Sequence, residues 1–199
     1  MDHDTVWEHI DRRRDELADL VERIDARGAG VWDTPSLCAG WTVRHVAAHV
    51  THSGIGMPRL LTAAARSGFR FNAAIHRMAV TDARSPAQIA TDLRAMAGSR
   101  RHPPGTTEIE PLTDVLVHTQ DICVPLGIDS PMPVEDAAVS AQRVWAMGFP
   151  FHARKRFGPI RLVATDVDFA VGDGREVAAP IADLLMAMTG RRSAVTLTP

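Results

Sequence analysis

Two segments far apart in the chain share one pattern, and that pattern restricts the fold more than any other feature. The first runs Gly40-Trp41-Thr42-Val43-Arg44-His45-Val46-Ala47-Ala48-His49-Val50; the second runs Pro111-Leu112-Thr113-Asp114-Val115-Leu116-Val117-His118-Thr119-Gln120-Asp121-Ile122. In the first, Val43, Val46, Ala47 and Val50 form an apolar stripe; in the second, Leu112, Val115, Leu116, Ile122 and Cys123 do the same. At roughly 100° per residue, His49 and His118 flank their stripes at about the same offset, and Asp114 and Asp121 lie a little further round. Two helices packed by these stripes bring both histidines to one edge of a shared core, a usual place for a site in a helical bundle. Asp114 and His118 stack one turn apart. With His49 they supply three arms of a divalent-metal site that leaves positions open, as catalytic zinc requires.

The same spacing admits plainer readings. An Asp–His pair four residues apart is also an ordinary helix-surface contact of about 0.2–0.5 kcal/mol, and a histidine beside an apolar stripe is often a hydrogen-bonded boundary residue. His45 and His49 form a rival pair, although His45, like His52, points more nearly away from the stripe. Asp121 reads either as a carboxylate that orients His118 or as a solvated acid. His3, His9, His76, His102 and His152 stand in charged or loop contexts and read as solvated.

The rest of the chain is organised around helices. Val6, Ile10, Leu17, Leu20, Val21 and Ile24 predict a helix over about 3–27, ended by Gly28 and Gly30. Thr42 is the expected N-cap of the helix carrying His49, whose pattern resumes at Met57, Leu60, Leu61 and Ala64. A shorter helical piece is expected over 73–80, and Ser85-Pro86 opens another helix to about 97. Pro111 opens the Asp114/His118 helix, and a further helix spans 134–147. From Ile160 the period changes to alternation, giving a short strand pair, the turn Gly172-Asp173-Gly174, and a last helix over 179–189. The expectation is a mainly α chain: a helical bundle over 1–155, then a small α/β segment over 156–199.

Composition narrows the function classes. A net charge of −2 with a pI near 6.5 gives no electrostatic case for nucleic acid or an anionic membrane. No apolar run approaches the ~20 residues of a membrane span, and the acidic start Met1-Asp2-His3-Asp4 is unlike a signal peptide. Cys38 and Cys123, outside any CxxC, read as small buried hydrophobes in a reduced cytoplasmic protein.

Gly40-Trp41-Thr42-Val43-Arg44-x-Val46-x-Ala48-His49 resembles the first signature of the mycothiol-dependent maleylpyruvate isomerase family, part of the DinB-like metal-binding bundle superfamily. Leu116-Val117-His118-Thr119-Gln120-Asp121-Ile122-x-x-Pro125-Leu126-Gly127 resembles its second. Arg161-Leu162-x-Ala164-Thr165-Asp166, Gly172-Asp173-Gly174 and Leu184-Leu185-x-Ala187-x-x-Gly190-Arg191 extend the likeness into the tail. The resemblance implies a DinB-like four-helix bundle with a small α/β C-terminal part. It also implies a divalent metal, usually zinc, held by a His and a Glu-xxx-His pair, which fall here on His49, Asp114 and His118. Asp114 stands where that family has Glu, one methylene longer.

The implied thiol is mycothiol, the low-molecular-weight thiol of actinobacteria, acting on a small electrophilic substrate. Cis–trans isomerisation and S-transfer are both consistent with such chemistry, and no residue stands out as a general acid. Two alternatives stay open. One is a metal-free bundle acting as a ligand-binding or interaction protein; the other is a hydrolase using metal-activated water.

Overall fold

The structure is a computed structural model and describes residues 1–54, 71–102 and 105–191. The expected continuation through Met57, Leu60, Leu61 and Ala64 lies outside the described residues. Packing divides the chain into two compact units, Asp2–Asp129 and Ser130–Pro199.

The first unit contains five of the described α-helices: α1 (His3–Asp25), α2 (Val43–Val50), α3 (Phe71–Val80), α4 (Pro86–Ala95) and α5 (Ile109–Cys123). Four of them form the bundle, because α1 and α2 each pack against both α4 and α5, while α3 lies against α2. The apolar stripes meet in one core that includes Leu17, Val21, Val46, Ile89, Leu93 and Val115. Full burial of such a side chain contributes about 1.5–3 kcal/mol, so the stripes dictate how the helices face one another.

Helix boundaries follow local chemistry. Asp2 caps α1 by accepting from the Thr5 amide at 2.9 Å, and Ser85 with Gln88 forms a reciprocal capping box at the start of α4. Thr42 stands at the N-cap of α2, and its own amide donates to His45 Nδ1 at 3.1 Å. His45 is therefore engaged in the cap rather than paired with His49. The helix expected to open at Pro111 begins two residues earlier, at Ile109. Proline is tolerated in a first turn because its missing N–H has no intrahelical acceptor there.

The second unit holds α6 (Val134–Ala146), α7 (Ala153–Phe157), β1 (Ile160–Ala164), β2 (Ala170–Val171), β3 (Arg175–Ala179) and α8 (Ile181–Met188). Its sheet has the order β2-β1-β3, with β1 antiparallel to β2 and parallel to β3. The alternation from Ile160 locates the first two strands. β3 goes beyond that expectation, because Arg175-Glu176-Val177-Ala178-Ala179 lacks a clear alternation of large apolar residues. Gly172, at φ +83°, permits the close turn: a Cβ there would lie 2.2 Å from the Ile160 carbonyl oxygen. The packing boundary at Asp129/Ser130 falls before the expected boundary near 155, because α6 packs with α7 and α8.

Candidate metal centre

α2 and α5 lie side by side, and the histidines flanking their stripes meet. The His49 and His118 ring centroids are 4.9 Å apart with their planes at 88°. Asp114 lies between them: its Oδ1 is 3.4 Å from His118 Nε2 and 3.6 Å from His49 Nε2. These distances are long for hydrogen bonds to a carboxylate. Two ligands held at about 2.0–2.1 Å by one tetrahedral ion lie about 3.3–3.4 Å apart, so the spacing is close to that of co-ligands.

A second group shares His118. Asp121, fully buried, accepts from His118 Nδ1 at 2.7 Å and from the Cys38 thiol at 3.0 Å, while Cys38 Sγ and His118 Nδ1 are 3.9 Å apart. The two short contacts have hydrogen-bond lengths, below the ligand–ligand spacing of a tetrahedral ion. Of the two groups able to converge on a metal among the described residues, His49/Asp114/His118 is thus spaced for an ion, and Cys38/His118/Asp121 for hydrogen bonding. The Asp121 contact commits His118 Nδ1 and leaves Nε2 facing Asp114, the arrangement in which a metal-ligating imidazole is held by an outer carboxylate.

The electrostatics follow from this packing. Burial alone would raise the Asp114 carboxyl, but His118 and His49 outweigh it and hold Asp114 well below the usual carboxylate range. Burial would lower His118; Asp114, Asp121 and Cys38 together hold it well above the ordinary imidazole value. The ion-free protein therefore carries an ionised Asp114 beside a proton-retaining His118, and a metal ion would displace that proton.

Trp41 completes the site. Gly40, at φ +79°, turns the chain into the segment before α2. The Trp41 ring meets His49 edge-on at 5.0 Å and stacks over His118 at 6.4 Å. Its indole N–H donates to His76 Nδ1 at 2.7 Å. The loop leading to Trp41 is docked on α5 by the Leu37 amide, which donates to the Asp121 carbonyl at 3.3 Å.

All four nominated residues, His49, Asp114, His118 and Asp121, come together, and Asp121 is buried rather than solvated. Three contributors go beyond the sequence reading. Cys38, expected as an inert buried hydrophobe, is only half-buried and bonds the carboxylate that holds His118. His76, expected to be solvated, receives the Trp41 N–H. His52, expected to face away, lies 3.1 Å from Asp82 and 6.1 Å from the His49 ring. The position of Trp41 just before the N-cap was the available signal for its role, since a residue there packs back along the first turns of its helix.

A four-helix bundle in which two helices bring two imidazoles and a carboxylate to one core edge defines a class of helical-bundle protein with a candidate metal centre. Within that class, the chain belongs to the family described as the mycothiol maleylpyruvate isomerase N-terminal domain, whose model matches residues 10–123, more than half of its length. A solved structure with a similar fold is described as the crystal structure of the mycothiol-dependent maleylpyruvate isomerase. It aligns at a TM-score of 0.65 and 14% identity, covering 98% of this chain and 91% of that one. No curated protein matches the sequence.

Proposed function

We propose that this protein is a cytoplasmic, divalent-metal-dependent enzyme that uses mycothiol as thiol cosubstrate. In this reading His49, Asp114 and His118 hold the ion, most simply zinc, and Asp121 orients His118. The observation that carries the reading is the position of one Asp114 oxygen 3.4 Å and 3.6 Å from the two imidazole nitrogens. When bound, a divalent ion there would lower the pKa of a coordinating thiol and polarise a substrate oxygen.

The chain's own residues prepare that chemistry. Asp121 occupies His118 Nδ1, so Nε2 is the nitrogen offered to the ion. Asp114 stays ionised across the physiological range. Trp41 packs against both imidazoles and restricts their orientation. Thiol addition to an electrophilic carbon, followed by bond rotation and elimination, is a cis–trans isomerisation; retention of the thiol is an S-transfer. The family supports the isomerase form.

The shorter Asp114 arm motivates the rival reading of a metal-free bundle that binds a ligand or partner. Its reach to both imidazoles favours the metal. The test combines elemental analysis after purification without chelator with incubation of the protein, mycothiol and maleylpyruvate, followed by NMR. One ion per chain and mycothiol-dependent formation of the trans isomer or a thioether are expected. No metal and no thiol-dependent product would support the binding-protein reading instead.

A further inference from the structure

Arg14 is the most unusual charged residue of the bundle. It belongs to the inner stripe of α1, between Ile10 and Leu17, and is only 1% exposed. A guanidinium carries five N–H donors and no acceptor. The nearest carboxylate oxygen in ion-pair range, Asp11 Oδ1, is 3.9 Å from Arg14 Nη1, beyond hydrogen-bond reach, and that nitrogen is buried without a partner. Asp11 is also committed elsewhere, because its other oxygen accepts from the Gly98 amide at 2.9 Å and faces Arg100 at 3.4 Å.

Other arginines of the chain show the contrast. Arg44 donates to the carbonyls of Asp82 and Arg84. Arg84 bonds Asp82, Asp92 and Thr51, and Arg94 bonds Asp19 and Glu22. Each is more exposed than Arg14, yet each has its hydrogen bonds, whereas the buried Arg14 guanidinium makes none among the described residues. Burial pulls its guanidinium below the ordinary value against the opposing charges of Asp11 and Asp114. Trp7 Nε1, two turns away on the same stripe, is likewise a buried donor without a partner. Two orphaned donors on one inner face, with the equally unpartnered Asp11 Oδ1 held 3.9 Å from Arg14 Nη1, leave a polar opening that one further acceptor would fill.

We propose that Arg14 anchors a carboxylate of a ligand bound on the inner face of α1, beside the Asp114 side of the candidate metal centre. The guanidinium fork matches a carboxylate in two parallel hydrogen bonds. With Asp11 nearby and Arg14 the one cation on the buried stripe of α1, a monoanionic carboxylate suits the site better than a phosphate dianion. As a statement about substrate, this rests on the proposed function and assigns Arg14 to hold a carboxylate of the electrophile. As a statement about an anion site, it stands on Arg14 alone.

The experiment uses succinate as probe and its neutral diamide, succinamide, as the uncharged control. Binding is measured by titration calorimetry to chelator-treated and zinc-supplemented protein, for the wild type, Arg14→Met and Arg14→Lys. The wild type is expected to bind succinate and not succinamide in both states. Arg14→Met should weaken succinate binding at least about tenfold, the cost of a lost charge-assisted pair, and Arg14→Lys should fall between. Because replacing an uncompensated buried charge with an apolar side chain of similar length relieves desolvation, Arg14→Met should melt at or above the wild-type temperature.

Wild type that does not distinguish succinate from succinamide overturns the proposal, as does Arg14→Met that binds succinate unchanged. An Arg14→Met variant that melts lower makes Arg14 a structural residue and also overturns it. Zinc uptake by the same samples separates the two proposals. Arg14-dependent succinate binding without zinc uptake keeps the anion site and removes the enzyme reading; zinc uptake with indifference to succinate does the reverse.

Discussion

Asp121→Asn isolates the part of the site that no ion would touch directly. Asp121 is fully buried and receives His118 Nδ1 at 2.7 Å and the Cys38 thiol at 3.0 Å. Asparagine has nearly the same shape, and its carbonyl oxygen still accepts from Nδ1, so the ring orientation survives. The negative charge behind the imidazole is lost, and with it the basicity of Nε2. Changes to such outer partners weaken metal binding about 10–100-fold, equivalent to about 1.4–2.8 kcal/mol. The substitution preserves one hydrogen bond, so the lower half of that range is expected. Zinc affinity is read by competition with a chromogenic chelator at fixed pH, because protons compete for the ligands. Affinity equal to wild type would refute the argument that Asp121 holds His118 for an ion. A loss as complete as that of His118→Ala would refute it in the other direction, moving the ion to the Cys38/His118/Asp121 group.

Further outcomes follow from the same contacts. Trp41→Ala should loosen both imidazoles and lower zinc affinity about tenfold or more, with Trp41→Phe milder; equal affinity in both variants would reduce Trp41 to a loop anchor. Cys38→Val removes the thiol donor from Asp121 and should lower thermal stability by about 0.5–1.5 kcal/mol, whereas Cys38→Ser should retain most of it; equal melting of all three proteins would contradict the bond. In chelator-treated protein, the raised His118 contributes stability that is complete below its unfolded value of about 6.5 and is lost as pH rises through its higher folded value. The depressed Asp114 contributes stability above its unfolded value of about 3.9, lost only as pH falls through a much lower one. Metal-free melting temperature should therefore decline from about pH 6.5 upward, while zinc affinity rises over the same window; identical pH profiles for wild type and His118→Gln would contradict this.

Most of the bundle was legible because one period governs it. Val43, Val46, Ala47 and Val50 on one segment, and Leu112, Val115 and Leu116 on the other, give both the helices and their facing sides. The offsets of His49 and His118 follow from the same angle. What was not legible depends on three-dimensional contact without sequence period. Cys38 reaches Asp121 only because a backbone hydrogen bond from Leu37 docks the preceding loop on α5. Trp41 stacks on His118 from a segment about eighty positions away. β3 lacks large alternating side chains, and it is specified by parallel pairing with β1 instead. Arg14 reads as one more charge in an arginine-rich stretch, and only the packing of α1 reveals that it lies inside.

Asp114, the shortened arm facing both imidazoles, is the pivot of the candidate metal centre. Zinc stoichiometry and affinity for the wild type, Asp114→Ala, Asp114→Glu and His118→Ala test it most directly. One ion per chain is expected for the wild type, with most of the affinity lost in Asp114→Ala and His118→Ala and retained in Asp114→Glu, which restores the longer carboxylate of the resembled signature. Asp114→Ala that binds zinc as tightly as wild type would make Asp114 a bystander. Two histidines would then remain, too few protein ligands for a catalytic zinc centre.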